Sequence, residues 1–245
     1  MKESPDKSVS KIELMFDDIA PAYDRLNHLF TLNIDIKWRK DIVKYIRKNN
    51  YCPDVLLDLA TGTGDLSREL LSLNPLKIYA ADISRKMLDI QKIKNNSDRL
   101  ILVRADAQSL PFDDEYFDIV TIGFGVRNFE NTELSLREIN RVLKKNGKLI
   151  ILEMFRGEGF KTGLFNLYFG KVMPYIGNKI SGSSAYSYLF RSVDTFFNVK
   201  EFTDLSRKCN FKTESVKNNF LGIVNTLYLK KMSEEMNSVS LKNMY

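Results

Sequence analysis

The stretch VLLDLATGTGDL (Val55–Leu66) decides the fold. A buried apolar run, Val55 to Leu59, empties into Thr61-Gly62-Thr63-Gly64, and a helical pattern with a polar start follows from Asp65. Glycine at 62 and 64 lets the backbone turn sharply and lets a ligand approach where a Cβ would stand in the way. The helix expected from Asp65 aims its free N–H groups at whatever lies over the turn. Strand, glycine turn and helix together predict a cradle for a nucleotide-type cofactor.

The spacing narrows the choice of cofactor. A dinucleotide fingerprint, Gly-x-Gly-x-x-Gly, needs a third glycine three residues after Gly64, where this chain has Ser67. Asp65 at the helix mouth would repel a pyrophosphate. Asp58 and Asp65 suit a cationic cofactor without phosphate, and S-adenosylmethionine is a sulfonium with an amino-acid end and an adenosine end. Working outward, KIYAADIS (Lys77–Ser84) reads as a second buried strand ending at Asp82, 18 residues after Gly64. A carboxylate there can accept from both hydroxyls of a ribose. LILVRADAQSLPF (Leu100–Phe112) reads as a third strand, with Asp106 and Ala107 just past its end and able to meet an adenine amino group. A single aspartate at a strand end is ordinarily a loop or helix cap. Three such ends on successive strands favour a binding edge.

From Val55 onward the chain alternates: strand 55–60, helix 65–73, strand 77–82, helix 84–95, strands 100–105 and 116–122, helix 132–143, strand 147–153. Alternation of this kind builds a mostly parallel sheet with helices on both faces and ligands at the carboxyl ends of the strands. The 245 residues fit one large α/β domain, with no composition shift marking a second. A net charge of +6 hints at nucleic acid or an anionic membrane surface, but the basic residues are scattered. Cys52, Cys209 and the single His28 have no metal-ligand spacing, so no metal is expected. The first ten residues lack the apolar core of a signal peptide, and no run of about 18 apolar residues could cross a bilayer. The expected compartment is the cytoplasm, with peripheral membrane contact left open.

Two segments break the α/β rhythm. Residues 11–46 read as two helices capping the strand ends. Residues 155–192 are aromatic and glycine-rich, and Leu164, Leu167, Tyr168, Lys171 and Val172 fall at helical spacing. That stripe is either an ordinary core helix or a surface that receives a greasy substrate. Residues 1–10 and 232–245 are expected to be flexible ends around a domain spanning 11–231.

Four motifs carry a resemblance. Tyr23-Asp24-Arg25-Leu26-Asn27, followed by Thr31, Asp35 and Trp38, is similar to a YDxMN…S…[HD]xxW signature. IGFGVRNFEN (Ile122–Asn131), RVLKKNGKLIILEMF (Arg141–Phe155) and AYSYLFRSVDTF (Ala185–Phe196) match three further ones. The chain resembles the class I S-adenosylmethionine-dependent methyltransferases, and within them the quinone-biosynthesis C-methyltransferases of the UbiE/MenG family, over about Lys11 to Lys231. Its departures are Lys145-Asn146 for Pro-Gly, Phe155 for Ser and Phe190-Arg191 for Pro-Glu. Asn at 146 still tolerates a left-handed turn.

The resemblance implies a Rossmann-like domain with a mostly parallel seven-stranded sheet, a helical cap before the first strand and a helical insertion after the fifth. Cofactor binding is expected at Asp58, Gly62, Thr63, Gly64, Asp82, Asp106, Ala107 and Gly123. The implied acceptor is a polyprenyl quinol, demethylmenaquinol being favoured over the benzoquinol precursor of ubiquinone, with another small molecule as a further alternative. Arg127 would stabilise a phenolate and orient a water, or else simply pair with Asp118 or Glu153; Asn128 would fix that water or the quinol oxygen. Tyr23, Asp24 and Tyr188 are secondary candidates for the acceptor pocket. A nucleic-acid methylase is disfavoured, because Gly125-Val126-Arg127-Asn128 stands where an amino-methylase would carry its Pro-Pro motif and neither cysteine lies nearby. A non-catalytic scaffold is disfavoured by the intact Gly62, Gly64 and Asp82. Oligomeric state stays open.

Overall fold

The apolar runs of the sequence become the strands of one seven-stranded sheet in the computed structural model, which describes residues 5–49, 51–157 and 185–232. The strands are β1 (Val55–Leu59), β2 (Lys77–Asp82), β3 (Leu100–Arg104), β4 (Phe117–Gly123), β5 (Leu143–Met154), β6 (Phe211–Phe220) and β7 (Val224–Lys231), in the order β3-β2-β1-β4-β5-β7-β6. β3, β2, β1, β4 and β5 pair in parallel, whereas β7 runs antiparallel to both neighbours. Central β1 is almost wholly buried, because helices cover both faces of a parallel sheet. The strand order reverses at β1 and β4, and the crevice at that switch point is where ligands bind.

Two helices precede the sheet, α1 (Val9–Thr31) and α2 (Ile34–Lys48), joined at a corner where Leu32 and Asn33 take positive φ of 51° and 62°. α3 (Asp65–Leu70) is shorter than the expected 65–73 helix, ending in a tighter turn at Leu71–Leu73. α4 (Arg85–Lys94) starts where the Ser84 hydroxyl accepts from the Met87 N–H, and α5 (Thr132–Val142) where Asn131 accepts from the Leu134 N–H. α6 (Ala185–Asp194) and α7 (Val199–Lys208) follow, the latter opened by a reciprocal cap between Asn198 and Glu201. β5 reaches back to Leu143 rather than starting at 147, with the turn at Asn146 in the left-handed conformation expected of it (φ 63°).

One face of the sheet packs Trp38, Ile42 and Ile46 of α2 with Leu66 and Leu70 of α3. The other packs Leu136 and Ile139 of α5 against Phe155, Phe196, Phe202 and Phe211. The cap is held to the sheet side by Ile19 and Ala20 of α1 against Met87 of α4, and by the Tyr45 ring stacked 3.7 Å from Tyr228. Phe155, one departure from the family pattern, is fully buried among Phe196 and Phe202. Arg191 is exposed. The stripe from Leu164 to Val172 lies outside the described residues, as do 233–245.

Candidate active site

The glycine turn after β1 is built on hydrogen bonds beneath it. The Asp58 carboxylate, wholly buried, accepts from the hydroxyls of Thr61 (2.8 Å), Ser67 (2.6 Å) and Thr121 (2.9 Å). Burial pushes its pKa up, and the three hydroxyls oppose that shift. Asp58 thus braces the loop from below and, unlike its expected place against the cofactor, is not among the residues lining the cleft. Gly64, at φ 86°, lies against α4: a Cβ there would stand 2.5 Å from Asn95 Nδ2 and 2.5 Å from Gln91 Cγ. Its role is packing rather than ligand contact. Gly62, at φ 57°, faces open space, where a Cβ would meet only Tyr23 Cε1 at 3.9 Å.

Thr63 and Asp24 also turn away from the cleft. The Thr63 hydroxyl donates to Asp24 Oδ1 (2.5 Å), and Lys94 Nζ reaches Asp24 Oδ2 (2.6 Å), Thr63 Oγ1 (3.2 Å) and Asp65 Oδ1 (2.9 Å). Burial raises the Asp65 pKa, but Arg39, Lys94 and His28 outweigh it and hold the carboxyl low. These residues fasten α1 to the loop and to α3 and α4. Thr63, Asp24, Asp65 and Lys94 are absent from the walls of both chambers described below, where the sequence reading expects Thr63 and Asp24 to meet ligands and Asp65 to face a sulfonium.

Over the carboxyl ends of β1, β2 and β4 lies a cleft of about 700 Å³, open to solvent. Its walls include Gly62, Asp82, Asp106, Ala107, Gly123 and Asn128, with Lys7, Val9, Ile12 and Phe16 from the chain's first segment. Asp82 is buried and already accepts from the N–H of Gly62 (2.7 Å) and of Ser84 (2.9 Å). Burial nevertheless pushes its pKa up to about 6. The backbone of Ile83 also acts on it, and with about four acceptor sites the carboxylate still has capacity for a ligand hydroxyl. An exposed glycine backbone at the turn, a carboxylate at the end of β2 and Asp106-Ala107 beyond β3 fit an adenosine-bearing cofactor without phosphate.

A second chamber adjoins the first, and Phe16, Tyr23, Phe124 and Asn128 line both. Phe124 takes a positive φ of 61° at the end of β4, a strained backbone of the kind that persists at ligand sites. Arg127, 5% exposed, lines this chamber. Its Nη1 donates to Glu153 Oε1 (2.7 Å) and to the Phe124 carbonyl (2.6 Å), while its buried Nε has no partner among the described residues. The expected pairing with Glu153 is present; Asp118 instead caps the backbone of Asp54 and Val55 and meets Lys144. Asn128 Oδ1 accepts from the Tyr188 hydroxyl (3.2 Å), whose pKa burial pushes up to about 12. Burial raises Tyr23 too, with Arg127 and Arg39 pulling the other way.

Met15, Ile19 and Met154 give the chamber apolar walls, and Asn27, Thr31, Asp35 and Arg39 give it a polar patch on the cap side. Sequence reasoning quoted Thr31 and Asp35 within a motif without assigning them work, and it missed Arg39. Its signal was the i,i+4 spacing of Asp35 and Arg39 on one helix. Among the described residues, His28, Asp35 and Asp65 bring potential metal ligands together. Arg39 and Lys94 already supply the cationic partners of those carboxylates.

The model of the ubiE/COQ5 methyltransferase family matches residues 1–231. A demethylmenaquinone methyltransferase of Bacteroides fragilis is 39% identical over 197 residues, covering 78% of this chain and 80% of its own. The ubiquinone/menaquinone biosynthesis C-methyltransferase UbiE of Geotalea uraniireducens is 41% identical over 210 residues, covering 82% and 88%. Among solved structures, a putative S-adenosylmethionine-dependent methyltransferase of Methanococcus maripaludis superposes with a TM-score of 0.64 at 21% identity, over 96% of this chain and 98% of that one, which shows the shared fold. Fold, paired chambers and these likenesses agree: the chain belongs to the ubiE/COQ5 methyltransferase family.

Proposed function

We propose that the protein methylates a ring carbon of a polyprenylated 1,4-hydroquinol, demethylmenaquinol being the acceptor favoured by its relatives' names. The protein is a methyltransferase, and its methyl donor is S-adenosylmethionine. The observation that carries the acceptor reading is the second chamber. It adjoins the cofactor cleft, has apolar walls, and is lined by Arg127 and Asn128 side by side. Bound in the first chamber, the cofactor supplies a methyl on a sulfonium that departs as a neutral thioether.

The chain's own residues do the rest. Phe16, Tyr23 and Phe124, shared by the two chambers, hold the acceptor ring against the donor, where reacting atoms must lie about 3–3.5 Å apart. A ring carbon becomes nucleophilic when a neighbouring phenol loses its proton, and a phenol titrates near 10, about as tyrosine does. The guanidinium of Arg127 lowers that cost by facing the developing oxyanion. Glu153 fixes the guanidinium, accepting also from the backbone N–H groups of Arg127 (3.2 Å) and Met154 (2.7 Å). Tyr188, with its raised pKa, stays protonated and acts as a donor to Asn128 rather than as a base. The phenolic proton leaves to a water beside Arg127; after the methyl bonds to the ring carbon, that carbon's proton is lost to solvent, its C–H electron pair returns to the ring, and the phenolate takes back a proton, so one proton is released overall.

No helix among the described residues is long and apolar enough to cross a membrane. The protein would take its lipid-soluble acceptor at the surface of a bilayer, consistent with its net charge of +6. Incubation with labelled donor and both reduced quinols tests the acceptor: label is expected in the naphthoquinol product, and label in the benzoquinol alone would move the assignment to ubiquinone formation.

A further inference from the structure

The acceptor chamber has charge at two places, and only the Arg127 side has a part in the reaction as described so far. On the cap side, Thr31, Asp35 and Arg39 line the same chamber. Asp35 is 1% exposed. Its Oδ1 accepts from the Thr31 hydroxyl (2.6 Å), its Oδ2 faces His28 Nδ1 (3.0 Å), and Arg39 Nη1 donates to that same Oδ2. A carboxylate offers about four acceptor sites, so Oδ1 retains one. Arg39 has five N–H donors, of which one is used on Asp35. Burial alone would push the Asp35 pKa up, but Thr31, Arg39 and His28 together hold it below the usual aspartate value. Both Arg127 and Arg39 act electrostatically on the Tyr23 hydroxyl, so the chamber lies within reach of both guanidiniums.

A hydroquinol ring carries two hydroxyls at opposite ends, and each both donates and accepts. Its oxidised form carries two carbonyls, which only accept. We propose that Asp35, with Arg39 beside it, receives the second hydroxyl of the acceptor and makes the protein select the reduced ring over the oxidised one. This rests on the quinol reading of the chamber. The hydroxyl would donate to Asp35 and accept from Arg39. A carbonyl could still accept from Arg39, but would leave the buried carboxylate facing an oxygen lone pair, a loss felt in full in a desolvated site.

The test measures binding rather than turnover. A demethylmenaquinol analogue with one prenyl unit, held reduced by dithionite, and its quinone are titrated separately into protein saturated with S-adenosylhomocysteine. Quenching of Trp38, the single tryptophan, which packs 6.2 Å from Phe124, reports occupancy. The wild type should prefer the reduced ring at least tenfold. Asp35→Asn should erase most of that preference by weakening the quinol at least tenfold, leaving the quinone within twofold and cofactor affinity unchanged. Thr31→Val, which leaves the carboxylate in place, should retain a preference for the reduced ring and so decides the matter should Asp35→Asn lose its cofactor site. Equal weakening of both rings by Asp35→Asn, or no preference in the wild type or in Thr31→Val, would overturn the proposal. Failure of the wild type to bind either ring while it binds cofactor would instead overturn the quinol reading on which the proposal stands.

Discussion

Asp82 sits where burial and function conflict. With its pKa at about 6, the free protein gains stability from this group at low pH, and that contribution is lost as pH rises through about 6. Ribose hydroxyls donate to the ionised form, so cofactor binding has the opposite dependence. Affinity for S-adenosylmethionine should be steady above pH 7 and fall as pH drops through about 6, with proton release on binding; calorimetry in buffers of different ionisation heat reads both. Asp82→Ala should weaken cofactor binding by roughly tenfold or more, since a hydrogen bond to a charged group contributes about 1.5–3 kcal/mol. Unchanged affinity in that variant would remove Asp82 from the site. Arg127 carries two duties. Arg127→Ala should lower turnover by about 100-fold or more. It should also lower the melting temperature, because Glu153 is left buried without its partner, a break that costs about 3–5 kcal/mol.

At the scale of elements, the two glycines of the turn separate cleanly. Gly64→Ala drives a Cβ into Gln91 and Asn95 of the α4 end and keeps an unfavourable φ, so it should destabilise the fold by about 1–3 kcal/mol. Gly62→Ala meets no such wall, so it should leave most of the stability and instead weaken cofactor binding. Paired melting curves and titrations of the two variants check this, and reversed effects would contradict the assignment. Lys94 joins α4 to Asp24 of α1 and Asp65 of α3, so Lys94→Met should speed amide exchange in α1 while leaving β1 protected. Phe155→Ser, which restores the family residue, should cost about 3–5 kcal/mol here, because Phe196 and Phe202 have packed around the larger ring.

For the whole molecule, the parallel half of the sheet was legible because β1 is an apolar run leading into a glycine turn, and β2 and β4 are apolar runs ending in aspartate and glycine. The antiparallel end was legible only through the family resemblance: β6 is an exposed edge strand, KTESVKNNF after Phe211, whose polar residues hide the period-two signal. Of the residues expected at the cofactor, those that end a strand, Asp82 and Gly123, line the cleft, whereas Asp58 and Thr63 do not, because sequence proximity to a loop does not tell which way a side chain points. The cap-side patch of Thr31, Asp35 and Arg39 needed the fold, since α1 and α2 must pack against the sheet before those residues share a chamber with Arg127. The central claim is methyl transfer to the carbon of a reduced ring, and its most direct test is a reaction with carbon-13-methyl donor, analysed by NMR, on demethylmenaquinol with reductant and on the quinone without it. The account predicts labelled methyl bonded to a ring carbon, formed only from the quinol. Label on oxygen, or equal labelling of the quinone under strictly non-reducing conditions, would contradict it.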